Sequence, residues 1–200
     1  ANIDQINFNE ALRHFSQTNN LFMIQQILAN YPVKVTNVDD ALNISLGNGN
    51  KEIAELLIAT KKISWIDQAI GFAMEGGDLN IVKKLLNCGG KLYIPDNALN
   101  KAIDLGNQDM VKAVLWSCSE ANQEAGLYYA VVSGKIDMVR FLLEAYPMGP
   151  VVLDNSLKTA KEKGYGEIEA MIFASDPAAA SRRREPTIPS AGGGAAKSSA

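Results

Sequence analysis

Hydrophobic positions along this chain fall into one block that recurs six times. Each block opens on a small residue, at Ala11, Ala41, Ala69, Ala98, Gly126 and Ser156, so successive blocks start 30, 28, 29, 28 and 30 residues apart. One place later stand Leu12, Leu42, Ile70, Leu99, Leu127 and Leu157. Four places later stand Ala73, Ala102, Ala130 and Ala160, with Phe15 and Ser45 as departures. Apolar residues return at plus twelve (Met23, Ile53, Ile81, Met110, Met138, Ile168) and plus sixteen (Ile27, Leu57, Leu85, Val114, Leu142, Ile172). Steps of four trace one face of an α-helix and do not fit the two-residue alternation of a strand.

Polar and small residues punctuate each block. At plus eight come Asn19, Gly49, Gly77, Gly106, Gly134 and Gly164, where a helix of roughly two turns should end, because Gly takes the left-handed conformation freely. Two places before each anchor lies Asn9, Asp39, Asp67, Asp96, Glu124 or Asp154, read here as the N-cap of the first helix. Glu124 is the weak member, since its longer side chain caps poorly. Acids at plus eleven (Glu52, Asp109, Asp137, Glu167) favour the start of a second helix. Each block therefore predicts a short helix, a tight turn, a second helix and a loop of about ten residues to the next block. Such short helices are marginal alone, so stability must come from burial between neighbouring blocks. The fold class is all-α, a solenoid of about six helix-turn-helix repeats.

The order of small residue, Leu, Ala, Gly and then an Ile-Val-x-x-Leu-Leu helix is clearest in AIGFAMEGGDLNIVKKLL (69–86) and GLYYAVVSGKIDMVRFLL (126–143). With these residues the chain resembles the ankyrin-repeat family from residue 9 to about 174. The family's Thr-Pro-Leu-His opening is absent, and the period is nearer 29 than the usual 33 or so. The projecting β-hairpin between units is therefore expected to be shortened or missing. Tetratricopeptide and HEAT units need longer repeats, roughly 34 and 40 or more. The resemblance implies a non-enzymatic adaptor with a protein partner on a concave face. That face would draw on plus three, plus six and plus seven of the inner helices and on the loop before each anchor. Residue by residue, this gives Phe72, Lys101 and Tyr129, then Glu75, Asp104, Leu105 and Ser133, with Trp65 and Tyr93 from the loops. The two loop aromatics read equally as packing of the loops onto the stack, and Trp116 reads as core.

Composition narrows this further. At 200 residues and 47% hydrophobic content the chain can bury a substantial core. Residues 1–175 form the repeat domain, and 176–200, rich in Pro, Gly, Ala and Ser, read as a disordered tail. Net charge is −3, and about −5 once the tail with Arg182, Arg183, Arg184 and Lys197 is set aside. A nucleic-acid partner, which needs a basic stripe, is not expected. Neither is a membrane span or a leader, so the expected place is cytoplasmic, or a host cytosol if the source is an intracellular bacterium. Atypical end blocks, with Phe15 and Asn19 in the first and Lys158, Lys161, Glu162 and Lys163 in the last, are read as caps of a complete, monomeric array.

Candidate chemistry is sparse. His14 is the single histidine, and no Cys stands at metal-ligand spacing, so neither metal nor cofactor is expected. Cys88 and Cys118 fall at similar places in adjacent blocks and read as reduced thiols, with a redox pair as the alternative. Glu75 and Asp104 both occupy plus six in adjacent blocks, but an open face offers no means of raising one carboxyl's pKa for acid catalysis. An alternative function is a targeting or regulatory repeat module of a larger effector or enzyme whose catalytic domain is not in this chain.

Overall fold

The structure is a computed structural model that describes residues 6–117 and 120–176, backbone only at 120 and 121. Cys118 and residues 177–200 lie outside the described residues, and with them the thiol-pair reading and nearly all of the expected tail. Asp176, placed first in that tail by the sequence, is buried at the end of the last helix.

Among the described residues, twelve helices make six hairpins. The first helices are α1 (Phe8–Gln17), α3 (Asp39–Gly47), α5 (Asp67–Glu75), α7 (Pro95–Asp104), α9 (Glu120–Val132) and α11 (Pro150–Lys163). Their partners are α2 (Leu21–Asn30), α4 (Lys51–Ala59), α6 (Leu79–Leu86), α8 (Gln108–Trp116), α10 (Ile136–Ala145) and α12 (Gly166–Ser175). Each first helix packs on the first helix of the next hairpin throughout, α1 on α3 through to α9 on α11. The second helices form another row, α2 through α8 and again α10 with α12. No strand is present among the described residues, and the projecting hairpin is reduced to one parallel bridge between Trp65 and Lys91.

The local chemistry explains the turns. All six plus-eight residues adopt the left-handed conformation, from φ 52° at Asn19 to φ 73° at Gly49. The small plus-four residues Ala73, Ala102, Ala130 and Ala160 are buried between successive first helices, and Ser45 stays buried by donating its hydroxyl to the Ala41 carbonyl at 2.6 Å. At Gly126 successive first helices approach closely: a Cβ there would lie 2.9 Å from Leu99 Cδ2. One continuous core runs from Phe8 to Ile172.

Two expectations are corrected. The residues at minus two are not N-caps. Asp39 and Asp67 are the first residues of their helices, Asn9 and Asp96 the second, and Glu124 and Asp154 lie a full turn inside. The oxygens of the first five bond the following hairpin instead: Ser64 N–H donates to Asp39 (2.9 Å), and Tyr93 and Ile94 N–H donate to Asp67 (3.1 and 2.8 Å). Thr36 N–H donates to Asn9 (3.1 Å), Asn122 Nδ2 to Asp96 (2.8 Å) and Gly149 N–H to Glu124 (3.1 Å). Glu124's extra length, a fault in a cap, is what reaches Gly149, where a Cβ would meet its carboxylate at 2.5 Å. The second correction is Trp116, which is 92% exposed at the end of α8 and does not join the core.

Candidate partner-binding face

The first helices stand side by side, so residues at plus three and plus six of neighbours meet across each junction. Three central junctions show one geometry. Phe72 of α5 lies against Gly47 of α3, where a Cβ would make ordinary contact with the ring at 3.7 Å. Lys101 of α7 donates to Glu75 of α5 at 2.6 Å. Tyr129 of α9 donates its hydroxyl to Asp104 of α7 at 2.9 Å, and Lys135 Nζ reaches the Asp104 carbonyl at 3.0 Å. The Asp104 carboxylate accepting that proton, helped by burial, holds the Tyr129 phenol above its usual range, while the Ser133 hydroxyl pulls the other way. Each junction is thus a rung joining plus six of one unit to plus three of the next.

The candidate residues therefore do not form a set of free charges. Glu75, Lys101, Asp104 and Tyr129 are brought together pairwise, and Ser133 sits beside Tyr129 with its N–H bonded to the Tyr129 carbonyl. An exposed lysine–glutamate rung adds little stability, because water screens it. Its effect is to leave the floor of the face electrically matched. Glu75 and Asp104 are each engaged by the next helix and not with one another.

Trp65 and Tyr93 stand differently. They are 52% and 64% exposed, on loops fixed by main-chain bonds: Ile66 N–H to Lys91 C=O at 2.9 Å and Lys91 N–H to Ser64 C=O at 3.0 Å. Leu105, at the end of α7, is 46% exposed. These side chains present apolar area on a scaffold that is already ordered, so little further entropy is lost on contact. His14 lies exposed on α1, its ring edge-on to Phe15 with centroids 5.5 Å apart.

Sequence reading missed the caps of the second helices. Asn20, Asp78 and Asn107, all at plus nine, accept from Met23, Ile81 and Met110 N–H at 3.1 Å each. The signal was present, a short oxygen-bearing residue directly after the turn glycine or asparagine. Asp78 also holds Lys51 of the preceding hairpin at 2.9 Å. That cation and the Ile81 N–H keep its carboxyl below the usual range.

Paired helices stacked in two rows, joined by left-handed turns and buried small residues, define an α-solenoid of helical repeats. Residues 70–151, covering most of the third unit to the start of the sixth, match the family model for ankyrin repeats in three copies. Over those residues the chain is similar to the ankyrin-repeat family. No curated protein and no solved structure matches it. No described helix is long and apolar enough to cross a membrane.

Proposed function

We propose that the chain is a protein-interaction scaffold that holds a partner protein on the face made by its first helices and the loops before them, and that it acts without catalysis. Ankyrin repeats are general protein-interaction modules, and the array supplies the features such a surface needs. The observation that carries the reading is the exposure of Trp65 and Tyr93 on pinned loops beside a floor of matched rungs. Large aromatics in the middle of a surface, surrounded by groups that ask little of solvent, are the usual composition of binding hot spots. Phe72 and Tyr129 are half-buried in the floor and shape it more than they project from it.

The test is a cross-linking pull-down from the source cell, read by mass spectrometry, with the wild-type chain, a Trp65→Ala/Tyr93→Ala variant and a Phe72→Ala/Tyr129→Ala variant. The expected outcome is loss of the specific interactor in both variants, with the helical circular-dichroism signal retained. An unchanged interactor in both would overturn the reading. Unfolding of the second pair alone would assign Phe72 and Tyr129 to the core.

A further inference from the structure

The row of second helices carries an apolar cleft that the first-helix face does not use. It opens between the first two hairpins, where α2 and α4 end, and holds about 310 Å³. Leu28 of α2, Leu56 and Ala59 of α4, and Pro32 and Val35 of the loop between the hairpins make its walls. Its polar members are Thr60 and Lys62. The Thr60 hydroxyl is turned to its own helix, donating to Leu57 C=O at 2.6 Å and accepting the Lys62 N–H at 3.2 Å. Lys62 Nζ donates to the carbonyls of Pro32 and Val35, and Lys62 C=O accepts Val38 N–H at 3.2 Å. The walls are thus fixed before anything enters, which lowers the entropy lost on binding.

An ammonium has three N–H groups, so one on Lys62 remains after the two carbonyls. No carboxylate pairs with Lys62 or with its exposed neighbour Lys61 among the described residues. Lys61 stands in the left-handed conformation (φ 55°), which glycine would adopt without strain, so the turn alone does not call for a lysine. From Leu21 to Val38 the chain holds no acid. Of the two acids on α4, Glu55 is taken by Lys84 at 2.6 Å, and Glu52 lies about 10 Å along the helix from Ala59. The carbonyl ends of α2 and α4 contribute roughly half a negative charge each, which one lysine offsets and the second does not. The cleft is therefore apolar inside and positive at its rim. Its volume is near the lower limit of small-ligand sites, roughly 300 Å³, and suits one or two side chains. Val33, 87% exposed beside Pro32, adds apolar area outside it.

We propose that this cleft receives a segment of a partner protein that inserts an aliphatic side chain between Leu28 and Leu56 and sets an adjacent carboxylate against Lys62 and Lys61. The inference rests on the reading of this chain as a protein-binding array but places this contact on the row of second helices and not on the first-helix face.

The test selects a random-peptide phage library on the full chain after removing phage that bind an Ala59→Phe variant, in which a ring at this exposed position fills the cleft. Selected peptides are synthesised and titrated into the methyl-labelled chain by NMR. Expected are peptides with Leu, Ile or Val beside Asp or Glu, methyl shifts at Leu28, Val35 and Leu56, and affinity weakened about tenfold or more by Lys61→Glu. Both cleft variants should keep the helical circular-dichroism signal, and the Phe72→Ala/Tyr129→Ala variant should bind these peptides as the wild type does. If that last variant abolishes binding and Lys61→Glu does not, this proposal falls while the first-helix face stands. Absence of enriched peptides, enriched peptides without an acid, or shifts confined to other methyl groups overturns it. So do the same shifts with sodium octanoate and no enriched peptide, which would assign the cleft to a free aliphatic acid. Shifts of these methyl groups in the free chain on deleting 177–200 (the chain's own end as occupant) or on dilution (a second copy) overturn it as well.

Discussion

At the scale of single residues, the plus-eight turn and the anchor position obey different physics. The turn needs a backbone state, and Gly or Asn meets that need whatever surrounds it. The anchor needs small volume and no unmet polar group. Ser156 meets the first demand only: it is fully buried, and its hydroxyl has no hydrogen-bond partner among the described residues. An unsatisfied buried hydroxyl costs about 1–3 kcal/mol. Ser156→Ala, which restores the residue found at four other anchors, is expected to stabilise the chain by roughly 1 kcal/mol and raise Tm by about 2–4 °C, read by calorimetry. Ser45, whose hydroxyl is bonded to Ala41, should lose stability on the same change.

At the scale of elements, the acids at minus two tie each hairpin to the next. Asp67→Ala would strip the acceptor from Tyr93 and Ile94 N–H together. The expected cost is about 1–3 kcal/mol, with faster amide exchange in the 87–94 loop and little change inside α5 itself. A cap would give the reverse, with fraying at the start of α5. Asp78 combines both duties, capping α6 and pairing with Lys51. Its carboxyl titrates below its unfolded value, so its contribution is complete above a pH of about 4 and is lost as pH falls through the folded pKa. Asp78→Ala should therefore cost about 1 kcal/mol at neutral pH, and the gap from wild type, measured by urea unfolding, should close in acid.

At the scale of the whole molecule, stability is a sum over units and the contacts between neighbours. The junction between α7 and α9 has no slack, because Gly126 already faces Leu99 at the distance where a Cβ would clash. Gly126→Val should cost about 1–3 kcal/mol by overpacking and uncouple the last two hairpins from the first four. The checkable sign is a urea transition that broadens or splits, with a lower apparent m-value. Much of this architecture was legible in the chain. The recurrence of Ala, Leu and Gly at fixed spacing specified helix, turn and helix, since helical periodicity and the left-handed turn depend on residues within a few places of each other. The ties were misread for the opposite reason: Asp67 and Tyr93 are 26 residues apart, and an acid before an apolar run looks the same whether it caps its own helix or bonds the next loop. The rungs had a trace in the sequence, opposite charges at Glu75 and Lys101, but whether they meet depends on how the helices stand against one another. Trp116 shows the limit most plainly, because its exposure follows from how α8 and its neighbours pack, which no local pattern encodes. The sequence alone thus determined the repeating unit and its number. Only the stacked structure decided which polar groups are spent holding the array together, and which are left at its surface for something else to meet.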